Sequence, residues 1–309
     1  MARPRWLFLL VACLALAGCA TSGTALPQTR PAATRTPPPT TSAAPMAPAT
    51  TQTAPAEPTT KPAAPAPQHQ RVIPPPTHVR FDYQIGQPYP PAAGVRVVTR
   101  DRTASPAPGL YDICYVNAFQ AQPDATSWWQ ANHPDLILRD SGDQPVIDQN
   151  WNELLLDIST PAKRTALAAI VGGWLDGCAA SGFNAVEPDN LDSWTHSTGL
   201  LTSDDALAYA RLLIARAHAD GLAIAQKNAA ELAGAGRAAG FDFAVAEQCA
   251  DYSECGSYTA SYGDEVIVIE YSAAGLSAAC TGWGAALTVV RRDLDVTAPG
   301  SSDYVDQAC

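Results

Sequence analysis

The stretch FNAVEPDN, residues 183–190, runs apolar and then ends on two carboxylates, Glu187 and Asp189, with Pro188 between them. In an extended chain, residues two apart share a face and sit roughly 6–7 Å apart, so both acids point the same way. Pro188 brings no amide hydrogen, which a sheet tolerates at a strand end or a bulge. Such places re-aim side chains beside active sites. The segment reads as a short buried strand whose C-terminal end presents a pair of acids.

The pattern recurs on both sides. β-rich runs occur at 81–86 (FDYQIG), 95–101 (VRVVTRD), 111–119 (YDICYVNAF) and 153–158 (ELLLDI). They continue at 184–190, 222–228 (LAIAQKN), 242–249 (DFAVAEQC) and 265–271 (EVIVIEY). Helical stretches lie between most of them. Thr160 and Pro161 suit the cap and first turn of one helix. Asp204 and Asp205 fall in the first turn of another, which ends at Gly221. A third, over 228–240, is weakened by its glycines. Eight strands alternating with helices predict an α/β fold, a parallel (β/α)8 barrel of the TIM type. A doubly wound open sheet is the runner-up, but no Gly-rich phosphate loop follows the first strand. The run LTVVRRDLD (287–295) is a ninth candidate, either peripheral or a sign that the count is off by one.

Domain organisation follows from composition. Residues 1–18 combine Arg3 and Arg5 with an apolar core too short to span a membrane, as in a signal peptide. The ending Leu16-Ala17-Gly18-Cys19 is similar to a bacterial lipobox, which makes Cys19 the expected lipidation site and the product an exported protein tethered at the outer face of the cell membrane. Residues 19–77 form an expected disordered linker, with 15 prolines between Ala20 and Thr77 and few large apolar side chains. Residues 78–309 are the expected catalytic domain, read as a monomer.

This domain holds 13 Lys/Arg against 29 Asp/Glu, a net charge of −16. It should repel nucleic acid and attract polycations. Six of its residues are cysteines, and an even number in an exported domain argues for disulfides. Fifteen pairings are possible; the short loop between Cys249 and Cys255 and the terminal place of Cys309 favour 249–255 and 280–309, leaving 114–178. Neither CxxC nor HxxxH spacing accompanies them, so no metal is expected, and no cofactor is implied.

Polar groups gather at the C-terminal strand ends, the face on which barrels carry out chemistry. Asp82 and Gln84 lie on the first run and Asn117 on the third. Asp157 ends the fourth, Glu187, Asp189 and Asn190 the fifth, and Lys227 with Asn228 the sixth. Glu247 ends the seventh, and Glu270 with Tyr271 the eighth. Several carboxylates gathered with one lysine are costly to collect without a task. Paired carboxylates across a cleft suit glycosidic cleavage, one protonating the leaving oxygen and the other attacking carbon or activating water. Asp189 and Glu247, two strands apart, could face each other across a sugar. Trp194 is placed to line a sugar subsite, and His196 lies close enough to reach the cleft. There is no GxSxG elbow, HExxH, P-loop or dinucleotide fingerprint.

In this order, AVEPDNLDS, AIAQKN, AVAEQCADYSEC and VIVIEY resemble the motifs of glycoside hydrolase family 114, endo-α-1,4-polygalactosaminidases on a (β/α)8 barrel. FDYQIG, ICYVNAF and ELLLDI are similar to that family's first, third and fourth strands. The resemblance covers 81–271. It implies that Asp189 and Glu247 are the catalytic carboxylates, and it places the family's cysteine pair on Cys249 and Cys255. The family's cysteine just before EPDN is Phe183 here, with Cys178 a helical turn earlier, and 272–309 match no motif. The implied substrate is an α-1,4-linked galactosamine-containing polysaccharide, cationic when deacetylated. Asp189 is then the expected nucleophile and Glu247 the acid/base, with Asp82, Asp157, Glu187, Lys227 and Tyr271 orienting sugar or tuning the pair. The alternatives are a non-catalytic glycan-binding protein and a glycosidase acting on another wall polymer.

Overall fold

The computed structural model describes residues 71–309. The expected signal peptide, Cys19 and the linker up to residue 70 lie outside the described residues. Residues 71–77, within the expected linker, already touch the domain: Val72 packs on the barrel interior, and the Ile73 carbonyl accepts from the Tyr111 hydroxyl at 2.7 Å.

The strands are β1 (Arg80–Gln84), β2 (Val95–Asp101), β3 (Tyr111–Asn117), β4 (Gln120–Ala121), β5 (Ile147–Asp148) and β6 (Glu153–Leu155). They continue as β7 (Ala185–Asp189), β8 (Ala223–Lys227), β9 (Phe243–Glu247), β10 (Val266–Glu270), β11 (Thr288–Arg292) and β12 (Asp306–Ala308). The helices are α1 (Thr126–Asn132), α2 (Pro161–Ser181), α3 (Ser203–Ala219), α4 (Ala233–Ala239), α5 (Cys255–Tyr262) and α6 (Ala273–Trp283). β1, β2, β3, β7, β8, β9, β10 and β11 lie side by side, all parallel, and β12 adds an antiparallel edge to β11.

This is the expected eight-stranded barrel with a different membership. ELLLDI is not a barrel strand. Its first three residues form β6 in a small antiparallel sheet ordered β4-β6-β5, where β4 and β5 take up both of its edges. β3 pairs directly with β7, from Ile113 opposite Ala185 to Asn117 opposite Asp189. The vacancy in the count is filled by the ninth candidate, which is β11. EPDN therefore ends the fourth barrel strand rather than the fifth.

The seam between β1 and β11 is closed by side chains. The Val79 amide donates to Thr288 Oγ1 at 3.2 Å, Arg292 Nη1 lies 3.5 Å from Asp82 Oδ1 with both side chains fully buried, and Arg80 meets Asp306 at 2.8 Å. Inside the barrel, Phe81, Tyr83, Val97, Ile113, Ala185, Ala223, Ala225, Phe243, Val245, Ile267, Ile269 and Val290 pack as one cluster. Their alternate neighbours face the helices.

Local signals place the helices. Thr160 caps α2 by accepting from the Lys163 amide, and Thr202 with Asp205 forms a capping box on α3. α4 is short, as its glycines suggested. Among the described residues, no helix follows β1 or β2, so those connections are free to build walls around the barrel mouth. Disulfides join Cys114 of β3 to Cys178 of α2, Cys249 to Cys255, and Cys280 of α6 to Cys309. The last ties down β12 and the terminus.

Asp82→Ala would strand Arg292 in the seam. It should cost about 3–5 kcal/mol, the range for breaking a buried pair, measured by denaturant unfolding. A loss under about 1 kcal/mol would show that the seam does not depend on this pair.

Candidate active site

Strand alternation decides which polar groups reach the barrel mouth. The interior face that carries Ala185, Ala225, Val245 and Ile269 ends in Glu187 and Asp189 on β7, Lys227 on β8, Glu247 on β9, and Tyr271 just past β10. Tyr83 of β1 and Tyr115 of β3 share this face. The Lys227 ammonium sits among all of them, 1% exposed, at 3.1 Å from Glu187, 3.1 Å from Asp189 and 3.4 Å from Glu247. It also donates to the Tyr83 hydroxyl at 3.2 Å, and that hydroxyl donates to Glu187 at 2.8 Å.

Asp189 is held by Lys227 and the Asn190 amide on Oδ1 and by the Tyr115 hydroxyl on Oδ2, the last two at 2.7 Å. Glu247 accepts from the Tyr271 hydroxyl on Oε1 and from Asn228 Nδ2 at 3.0 Å on Oε2. Asn228 Oδ1 in turn accepts from the Glu247 amide at 2.9 Å. Glu187 is fully buried behind this pair, whereas the Asp189 and Glu247 side chains keep 15% and 22% exposure. The arrangement leaves two partly open carboxylates oriented by fixed donors, with a third acid as their support.

The strand ends are shaped for this. Asn190, Asn228 and Gln248, which follow Asp189, Lys227 and Glu247, take φ of 68°, 52° and 56°, a left-handed conformation that asparagine tolerates well. Pro188 fits because the β7–β8 ladder ends at Val186 opposite Ile224. The Asp189 carbonyl faces β3, where it accepts from Ala118. By alternation the nitrogen of Pro188 faces β8, where the ladder has already parted.

A cavity of about 350 Å³ opens over the pair. Of the expected residues, Asp189, Asn190, Asn228, Glu247 and Tyr271 line it, and Glu187 with Lys227 lies beneath. The others are elsewhere. Asp82 and Gln84 sit one residue out of step with Tyr83, in a buried network with Tyr89, Arg100 and Arg292. Asp157 binds Ser159 and Lys163 ahead of α2, because ELLLDI is not a barrel strand. Glu270 is out of step with Tyr271 and accepts from the Ala250 amide at 2.8 Å. Its other oxygen would lie 2.2 Å from a Cβ at residue 275, so that position needs Gly275. Trp194 packs against the outer core.

The cleft instead uses His196, Trp151, Asp148, Glu153 and Asp192, together with Leu294, Asp295 and Val296 from the loop after β11. That loop closes on β1 over Gly86, where a Cβ would lie 2.7 Å from the Val296 carbonyl. Glu153, the first residue of ELLLDI, accepts from Asn117 at 2.9 Å and Asn190 at 3.3 Å. Among the described residues, the cluster able to offer metal ligands is Cys249, Cys255 and Glu270; its two sulfurs are joined as a disulfide, which leaves a single carboxylate.

Burial first, then the neighbouring acids, sets the charges. Burial alone would discharge Lys227, but Asp189, Glu247 and Glu187 hold it well above the ordinary lysine range. Burial pushes Glu187 up to about 6 against the pull of Lys227. Burial also raises Asp192 to about 6, with Asp189 adding. Glu153 rises to about 7 through burial, with Asp189 and Asp148 adding, against hydrogen bonds from Asn117 and Asn190. Burial and Glu247 keep the Tyr271 hydroxyl protonated as a donor.

Raised carboxyls hold protons that the unfolded chain has released, so their contribution to stability is complete below about pH 4 and lost as pH climbs. The loss runs through about 6 for Glu187 and Asp192 and about 7 for Glu153. Glu153→Gln should flatten the upper part of this slope in thermal denaturation between about pH 5 and 8. An unchanged slope would show that another group titrates there.

The sequence model of glycoside-hydrolase family GH114 matches residues 60–309. Among solved structures, Aspergillus fumigatus Ega3 in complex with galactosamine is 22% identical, with a TM-score of 0.59 over 81% of this chain and 100% of its own. The glycoside hydrolase domain of PelA from Pseudomonas aeruginosa is 15% identical, with a TM-score of 0.49 over 74% of this chain and 98% of its own. No curated protein matches. With the family model spanning the whole barrel, the chain belongs to glycoside-hydrolase family GH114.

Proposed function

We propose that this glycoside hydrolase cuts within α-1,4-linked galactosamine-containing polysaccharide, with Asp189 as nucleophile and Glu247 as acid/base. The observation that carries the reading is the charge of the cleft. Six carboxylates line it, namely Asp148, Glu153, Asp189, Asp192, Glu247 and Asp295, against one histidine and, among the described residues, no lysine or arginine. A cationic amino sugar would be drawn into such a site and an anionic polymer kept out. The galactosamine bound by Ega3 points to the same class of sugar.

In this reading, Tyr271 and Asn228 orient the Glu247 carboxyl toward the leaving oxygen. Tyr115, the Asn190 amide and Lys227 hold Asp189 toward the anomeric carbon. Glu187, buried and bonded to Lys227, keeps the ammonium in place between the two. The product would act outside the cytoplasm, exported by residues 1–18 and anchored through lipid on Cys19, with residues 19–77 as a spacer, and as a monomer.

Asp189→Asn and Glu247→Gln should each lower turnover on partly deacetylated galactosaminogalactan by at least about a hundredfold. Reducing-end release is the readout, with folding checked by thermal denaturation. Wild-type turnover in both variants would sink the assignment.

A further inference from the structure

A second cavity, also about 350 Å³, lies beside the cleft. Gln122 lines both. A groove of about 610 Å³ adjoins both, sharing Arg102, Gln122 and Ala125 with this cavity and Ile85, Gly86, Gln122 and Glu153 with the cleft. The walls are aromatic. Trp128 is 43% exposed, and its ring lies 5.2 Å from that of Trp129 and 6.5 Å from that of Trp174. The Arg102 guanidinium stacks 4.4 Å over Trp174. The charge is opposite to that of the cleft: among the described residues, the lining holds Arg102 and no carboxylate.

Gln120 gives the cavity an unused polar group. It is 1% exposed, and its Nε2 donates to Asp148 Oδ2 at 3.3 Å. An ionised carboxylate only accepts, so this bond fixes which way the amide faces. Among the described residues, Gln120 Oε1 is left buried and without a partner, a costly state unless a ligand supplies a donor. A tryptophan face with a nearby acceptor suits a sugar ring carrying an N–H or hydroxyl. Arg102 disfavours an ammonium there.

We propose that this pocket is a distal subsite that holds a neutral, N-acetylated hexosamine of the same polymer whose bond lies at Asp189 and Glu247. The proposal rests on the glycosidase reading above and deepens it. The acidic cleft selects a charged amino sugar, and the aromatic pocket selects an acetylated one further along the chain. The N-acetyl N–H donates to Gln120 Oε1, and the sugar face stacks on Trp128. The enzyme thereby reads an acetylation pattern rather than a single residue.

The test follows tryptophan indole signals of ¹⁵N-labelled protein during titration with N-acetylgalactosamine and, separately, galactosamine. N-acetylgalactosamine should shift the pocket signals, and Trp128→Ala should abolish the response. Galactosamine should leave them in place until Arg102→Glu reverses the local charge. No response to N-acetylgalactosamine, or an equal response in Trp128→Ala, overturns the site. Binding of both sugars by wild type, or continued refusal of galactosamine by Arg102→Glu, overturns the selection by charge. On polymer, Trp128→Ala should reduce the preference for partly acetylated over fully deacetylated substrate by about tenfold, equivalent to roughly 1.4 kcal/mol. An unchanged preference would sever pocket from cleft. The titration needs no turnover, so if no polymer is cut the proposed function fails while the pocket is still decided.

Discussion

A single buried ammonium organises the active end of this barrel. Lys227 is enclosed by three carboxylates within 3.4 Å and by the rings of Tyr83 and Tyr115, each 5.7 Å away. Three acids this close would repel one another and take up protons if left alone. A lysine without them would be costly to keep charged in the same place. Each side therefore makes the other tolerable. The fully buried Glu187 is the member with no route to substrate, and its part is to hold the cation.

The barrel supplies the registry for this cluster. β7, β8 and β9 are neighbours, so their interior positions bring two acids, one base and one acid to the same depth. Left-handed residues end all three strands there and turn the chain away from the opening. The connection after β1, the β5–β6 segment, the residues after β7 and the loop after β11 then form the walls. Residues 272–309, which carry no recognised motif, provide the eighth strand, part of the cleft wall and the Cys280–Cys309 staple.

The fold class was legible because apolar runs and caps repeat in the chain, and the heart of the site was legible because EPDN and EQC place acids at strand ends. Three of the misplaced residues share one cause. Asp82, Gln84 and Glu270 lie near strand ends, yet alternation puts Tyr83 and Tyr271 on the inner face and these three on the outer one. The signal was present: counting in twos from Ala185, Phe243 and Ile267 selects Glu187, Asp189, Glu247 and Tyr271. ELLLDI failed differently. Its composition fits a barrel strand, and only its pairing with β4 and β5 excludes it, so Glu153 at its start rather than Asp157 near its end reaches the cleft. Trp151 and Trp194 lie in turn-rich segments with no periodicity to say which one faces the opening.

The proposed function requires the Lys227-centred acids to cut a cationic amino-sugar polymer from within. The most direct measurement is size-exclusion analysis with reducing-end counting after wild-type protein meets a panel of polymers, with α-1,4-galactosaminogalactan beside neutral and anionic wall glycans. Chain length should fall early, with new ends, for the galactosamine polymer alone. Retention of that polymer without new ends, or cleavage of an anionic glycan instead, would contradict it.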